Sequence, residues 1–315
     1  MSAPEVEVRP VESDADLELS VAIYNTVSPA RAVSLTDVRS YREAVPEQQG
    51  FLAWLGGEAI GEGLAALEPQ HRHQDVARAS VSVLPARRRR GVGSALYRAV
   101  SAWAAERGKN ALEVWVQDDD PDGLAYAAPR GFVEVARDAR LALDLASIEE
   151  PAVEPPPGIE IVTWAEQPEL APGMYEVALE AYPDVPGEEE SAMESFEDWL
   201  AHDLGGSGDR PEATFVALAG DEVVGYAKFH LSDARPRVAT HDLTGVKRAW
   251  RGHGIASALK AAEIAWAKRA GYERLETANE LRNAPIRHLN ERFGYRAIPG
   301  RRLLRGPLAT AADGS

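Results

Sequence analysis

The sequence predicts an α/β fold built twice along one chain of 315 residues. A β-like run, Thr240 to Val246, leads into Arg251-Gly-His-Gly254-Ile-Ala256, which opens a helix from Ser257 to Trp266. The same stretch stands earlier, where Arg88-Arg-Arg-Gly91-Val-Gly93 opens a helix from Ser94 to Trp103. At a shift of 163 residues, Arg88 falls on Arg251, Gly91 on Gly254 and Trp103 on Trp266. Leu112-Glu113 likewise falls on Leu275-Glu276, and Gly131-Phe132 on Gly294-Tyr295. Self-similarity held at one offset over this length marks a duplicated domain.

Each element follows from local pattern. Glu5 to Arg9 alternates as a first strand, and Ser13 or Asp14 caps a helix running through Ile23. Phe51 to Leu55 and Glu58 to Leu64 read as a hairpin around Gly56-Gly57. Ala79 to Leu84 is the strand entering the first Arg-Gly loop, and Ala111 to Val116 is another strand. His71-Arg-His-Gln-Asp and the aspartate-rich Gln117 to Gly123 are loops. Phe132 to Leu145 should carry two closing strands. Ile159-Glu-Ile-Val then restarts the pattern, and Phe215 to Ala227 repeats the hairpin. The expected domains are 1–147 and 159–308. A proline-rich spacer, 148–158, lies between them, and a fraying tail, 309–315, follows.

The paired glycines carry chemistry. Between a strand and a helix they allow a tight turn with backbone N–H groups pointing outward, beside the unpaired N–H groups of the helix's first turn. Such a cradle holds an anion, with the arginine adding a charge-assisted bond. No P-loop pattern is present.

R-x-x-G-x-[GA] between strand and helix, followed by a Gly-aromatic pair, resembles the GCN5-related N-acetyltransferase (GNAT) superfamily. The resemblance covers both halves, and the second half is most similar to actinobacterial tandem acetyltransferases of the mycothiol-synthase type. It implies two acyl-CoA N-acyltransferase domains, each a mixed sheet splayed between its fourth and fifth strands. Acetyl-CoA, as co-substrate, would sit in the splay. Its pyrophosphate would lie on Arg88, Arg89, Arg90, Gly91, Val92, Gly93 and Ser94, or on Arg251, Gly252, His253, Gly254, Ile255 and Ala256. The backbone at Val83 and Val246 would hold the pantetheine and polarise the thioester. Asn279 and Asn283 are expected to bind CoA or backbone amides.

For proton transfer, Asp242 and His241 stand on the strand before the second loop, and only one of them can face the cleft. Asp242 is preferred, and Ala79 matches it at the constant offset. The family's tyrosine acid is missing: Ala127 and Asn290 take its place, with Tyr126 one residue away. Asn290 could bond the CoA sulfur but cannot release a proton at neutral pH. The segment from Asp184 to Asp203 holds eight carboxylates and no Lys or Arg. It reads either as a solvated helical face or as an acidic wall that attracts a cationic amine.

The absence of cysteine excludes disulfides and thiolate metal sites and fits the cytoplasm. No metal-ligand spacing is present, and neither a leader nor a spanning segment is expected. A net charge of −16 disfavours nucleic acid and anionic membranes. The expected activity is direct attack of a primary amine of a small molecule on acetyl-CoA, by a monomer or homodimer. A non-catalytic acyl-CoA-binding module is the alternative.

Overall fold

The computed structural model describes residues 6–68, 73–184, 195–280 and 284–310. Side chains 279–280 and 284–285 lie outside the description. In the first half the elements are β1 (Glu7–Pro10), α1 (Asp14–Val27), α2 (Leu35–Ala44), β2 (Gln48–Leu55) and β3 (Glu58–Ala66). They continue with β4 (Val76–Val83), α3 (Val92–Glu106), β5 (Ala111–Gln117), α4 (Pro121–Ala127) and β6 (Val133–Asp144). The second half begins with β7 (Ile159–Thr163), α5 (Ala171–Ala181), α6 (Phe196–Asp203), β8 (Thr214–Ala219) and β9 (Glu222–Leu231). It ends with β10 (Val238–Val246), α7 (Ile255–Arg269), β11 (Arg274–Glu280), α8 (Ala284–Arg292) and β12 (Arg296–Pro307).

Local chemistry sets these boundaries. Ser13 with Asp16, and Ser34 with Asp37, form capping boxes at α1 and α2. Gly56 and Gly57 both take positive φ in the two-residue turn joining β2 to β3. Phe132 to Leu145 departs from expectation: it forms one long strand, β6, rather than two.

Two compact units result. Unit 1 is 1–137 with 301–315, and unit 2 is 138–300. The sequence expected the divide between 147 and 159; the units divide at Arg137/Asp138 and at Gly300/Arg301. The reason lies in the free edge of each splayed sheet. In unit 1, β4 and β5 run parallel only through Arg78 and Glu113, so the far edge of β5 needs a partner. Residues 301–307 of β12 supply it, antiparallel, from Arg301↔Gln117 to Pro307↔Ala111. In unit 2, β10 and β11 pair only from Val238 to Thr240, and residues 138–144 of β6 close the edge of β11. Each half of the sequence thus donates its last strand segment to the other unit.

An ion pair marks each closure. Glu113 is buried and accepts from Arg305 Nε at 2.9 Å and Nη2 at 2.6 Å. Glu276, also buried, accepts from Arg140 Nη2 at 2.7 Å. The unit 1 core gathers Ala77, Tyr97, Val100, Trp103 and Leu112, while Leu141, Leu143 and Leu145 join Phe229, Leu259 and Leu275 in unit 2. No helix among the described residues is long and apolar enough to cross a membrane.

Gly306 tests the strand exchange. A Cβ there would stand 2.4–2.6 Å from the Phe132 ring. Gly306→Ala should therefore destabilise unit 1 by ~1–3 kcal/mol, the usual cost of overpacking. Urea unfolding followed through unit 1 tryptophans would measure it. An unchanged midpoint would mean that 301–307 pairs elsewhere.

Candidate active site

Both loops take the conformation their glycines suggest. Gly91 and Gly254 are the N-caps of α3 and α7, in the left-handed region at φ 82° and 89°, and neither helix has a side-chain cap bond. Gly252 also has positive φ, and its counterpart Arg89 takes φ 62°, a conformation that disfavours a side chain. A Cβ built on Gly91 or Gly252 would meet nothing within 4 Å, and one on Gly254 would meet only Pro156 of the linker. Val92 and Ile255 send their side chains into the cores. What remains is an open cradle of uncapped helix N–H groups, and it fits a phosphate.

The arginines are placed alike. Arg88 Nε donates to the Val83 carbonyl at 3.3 Å, and Arg251 Nε to the Val246 carbonyl at 2.9 Å. The guanidinium is thereby anchored where β4 or β10 has already left its parallel neighbour. Each arginine also meets an aspartate: Arg88 pairs with Asp122 at 2.7 Å and Arg251 with Asp184 at 2.6 Å. Asp184 binds Arg248 as well, and these two arginines lower its pKa to about 2. In the first loop Arg130 donates to Ser94 Oγ, while Arg90 and His253 are exposed.

His241 and Asp242 separate as strand alternation requires. His241 is buried between the sheet and α7, where Lys260 Nζ lies 3.0 Å from Nδ1 and the Tyr295 hydroxyl 2.5 Å from Nε2. Burial lowers its pKa and keeps it out of the cleft. Asp242 faces the other way, half-exposed, and pairs with Lys228 Nζ at 2.7 Å. Lys228 is itself buried and also meets Asp209 at 2.9 Å. Tyr226 donates to Asp203 Oδ2 at 3.1 Å, and Tyr182 to Asp203 Oδ1 at 2.5 Å. Burial raises the pKa of Asp203. The resulting face combines three carboxylates, two phenols and one lysine, most of which sequence reading passed over. Tyr226 and Lys228 reach Asp242 through the β9–β10 pairing, and Asp209 comes from the loop before β8, where the Gly208 carbonyl accepts from the Leu231 N–H.

The constant offset fails here. The β9–β10 register slips between His241 and Thr244. Ala79 faces Ala65 in unit 1, as His241 faces Phe229 in unit 2. The structural counterpart of Ala79 is therefore His241. Asp242 sits in a β-bulge that β4 lacks, which is what aims its side chain.

Asn290 is completely buried at the end of α8, so its side chain offers no surface to a co-substrate. Its carbonyl accepts from the Phe293 and Tyr295 N–H groups, a turn-forming role. Asn279 is placed by its backbone opposite Ala139. Its side chain and Asn283 lie outside the described residues, as do His71 and residues 185–194 of the acidic segment. Within the described part of that segment, Phe196 and Trp199 pack against Tyr175. Tyr126 rests its ring against Gly93 and under the Arg130 guanidinium. Ala127 is buried. Among the described residues no cluster of His, Asp and Glu could hold a metal.

Unit 1 carries a group that sequence reading missed. Glu62 on β3 is 4% exposed, and its Oε1 has no hydrogen-bond partner. Burial raises its pKa to about 7, against a hydrogen bond from Ser82 across the ladder. It lines a cavity of about 550 Å³.

A model of the acetyltransferase (GNAT) family matches residues 21–132 and again 171–295. The chain belongs to this family, and the class defined by fold and loops is an N-acetyltransferase that uses acetyl-CoA as co-substrate. Among named relatives, the mycothiol acetyltransferase of Nocardia farcinica is 29% identical over 76% of this chain and 74% of its own length. That of Brachybacterium faecium is also 29% identical, over 67% of this chain and 62% of its own. A tandem GNAT protein from the clavulanic acid biosynthesis pathway aligns with 98% of this chain and 100% of its own, with TM-score 0.77 and 22% identity. A GCN5-related N-acetyltransferase from Sphaerobacter thermophilus has TM-score 0.72 at 22% identity, over 98% of each chain. These comparisons give no support to a non-catalytic module.

Two outcomes are expected. Acetyl-CoA should raise the melting temperature by mass action, whereas ATP and NAD should not. Arg251→Ala should weaken acetyl-CoA binding to unit 2 roughly 10- to 100-fold, the worth of one charge-assisted bond. Calorimetry on this variant and on Arg88→Ala would show which loops bind; unchanged affinity in both would reduce the loops to turns.

Glu62 makes stability depend on pH. Its folded pKa, about 7, lies above its ordinary value of 4.5, so the folded state holds the proton more tightly. Stability from this group is greatest below about pH 4.5 and falls as pH rises to about 7. Relative to Glu62→Gln, the wild type should lose on the order of 3 kcal/mol across that window. Paired urea titrations at pH 4.5 and 7.5 would reveal a flat difference if the carboxyl were solvated.

Proposed function

We propose that unit 2 transfers the acetyl group to a primary amine of a small molecule, with Asp242 as proton acceptor. The observation that carries this reading is the position of Asp242. It stands in the bulge of β10, on the strand that ends at the Arg251 loop, with its carboxylate half-exposed and held by Lys228. Acetyl-CoA supplies an acyl group activated as a thioester. Arg251 and the N–H groups after Gly254 are the residues that would hold its pyrophosphate.

The chain's own residues then have separate tasks. Asp203, Asp209 and Asp242 attract the amine as a cation. Attack requires the neutral amine, so Asp242 removes its proton. Lys228 fixes the Asp242 carboxylate, as a buried cation with fixed partners can. Tyr182 and Tyr226 hold Asp203 in place through their hydroxyls. No family tyrosine stands at the acid position, and solvent would return a proton to the departing thiol. Relatives named mycothiol acetyltransferases make the amine precursor of mycothiol the first acceptor to try. We place the enzyme in the cytoplasm, as a monomer or homodimer, with no nucleic-acid partner.

Asp242→Asn should lower kcat/KM by ~10²–10⁴, the usual contribution of a positioned base, and leave acetyl-CoA affinity nearly unchanged. Thiol release with an amine panel, read together with product mass, measures this. Full turnover in Asp242→Asn, together with its loss in Gly91→Val, would move the chemistry to unit 1.

A further inference from the structure

Unit 2 buries a polar cluster that the proposed transfer does not use. His241, Lys260, Glu263 and Tyr295 lie between the sheet and α7, each at most 5% exposed. Lys260 Nζ stands 3.0 Å from His241 Nδ1 and 3.2 Å from Glu263 Oε2. Glu263 Oε1 is 3.1 Å from the same Nδ1, and the Tyr295 hydroxyl is 2.5 Å from Nε2. His241 on β10 thus touches all three partners, two from α7 and one from just before β12.

Stability alone does not account for such a cluster. Desolvating buried charges offsets most of what their pairing gains, and apolar residues of similar volume do as well or better. Unit 1 shows that alternative: at the matching positions Ala79, Tyr97, Val100 and Phe132 belong to one hydrophobic core. The best-attested use of a buried polar group is to fix register.

Register is what β10 needs. His241 and Val246 both face α7, although they are five positions apart. Regular alternation forbids this, and the bulge absorbs the extra residue. Asp242 and Leu243 together stand against Lys228, between the pairs His241↔Phe229 and Thr244↔Ala227. In unit 1 Ala79 and Val83 are four positions apart, and Ser80 alone faces Leu64. A regular strand counted back from Val246 would place Asp242 against α7 and turn His241 away from it. Val238, Ala239 and Thr240, which precede His241, carry no large side chain that would fix a face. The choice falls to His241. Slipping would strip Lys260 and Glu263 of their imidazole and set a second carboxylate beside Glu263.

We propose that the buried cluster of His241, Lys260, Glu263 and Tyr295 locks the register of β10, and that its members are positioning residues holding Asp242 on the acceptor face. The lock stands on the geometry of β10. Its use in catalysis rests on the reading of Asp242 as proton acceptor.

The chain has no cysteine, so Asp242→Cys supplies a single thiol whose reaction with N-ethylmaleimide reports which face position 242 takes. The test background copies unit 1 into unit 2: His241→Ala, Lys260→Tyr, Glu263→Val and Tyr295→Phe together. Labelling there should be at least ~10-fold slower than with the native cluster, since a thiol turned into the core reacts only when the strand opens. His241→Ala alone serves if the four-fold variant does not fold. His241→Asn, whose amide reaches Lys260 and Glu263, should label as the native cluster does. With Asp242 retained, the four-fold variant should lose ~10-fold or more in kcat for amine acetylation at unchanged acetyl-CoA affinity. Equal labelling in all backgrounds overturns the lock. Faster labelling with a lower urea midpoint also overturns it, reducing the cluster to a stabiliser. Slower labelling at full kcat upholds the lock and removes Asp242 from the chemistry instead.

Discussion

The splayed sheets depend on a buried carboxylate and the arginine that reaches it from a donated strand. Glu113 on β5 and Glu276 on β11 stand where the parallel ladder ends and the strands begin to part. Beyond that point the inner edge has no ladder partner, so the outer edge must be closed firmly. Arg305 and Arg140 close it, each from the last strand of the other half of the sequence. Each carboxylate has further partners within its own unit, Arg78 for Glu113 and Arg235 and Arg274 for Glu276, so the buried charge is shared among several arginines. The loops hang on this arrangement, since Val83 and Val246 anchor Arg88 and Arg251 only because their strands have already diverged.

Duplication kept the anion loop and changed the face across from it. Both copies retain the αL glycine, the strand-end carbonyl under arginine Nε and an apolar first helical residue. The other face diverged by one inserted residue and a few substitutions. The bulge at Asp242, with Tyr226 and Lys228 on β9, gives unit 2 a largely buried ionic cluster. Without the bulge, and with Glu62 and Leu64, unit 1 keeps a cavity and a lone carboxylate. The same core position is polar in one copy and apolar in the other: His241 and Lys260 in unit 2 match Ala79 and Tyr97 in unit 1.

By itself the sequence determined the duplication, the strand–loop–helix units, the hairpins and the anion cradles. These are short-range features: glycine φ, capping residues and alternation act within a few positions. It also separated His241 from Asp242, because neighbours on a strand face opposite ways. Only the tertiary structure decided which strand closes which sheet, since any open edge accepts any extended partner and the choice is made by long-range packing such as Gly306 against Phe132. It alone set the register at the bulge, where one extra residue broke the offset that matched Asp242 to Ala79. It alone brought Lys228 to Asp242 and left Glu62 without a counter-ion, because burial and charge pairing are properties of the assembled face rather than of the residues that compose it.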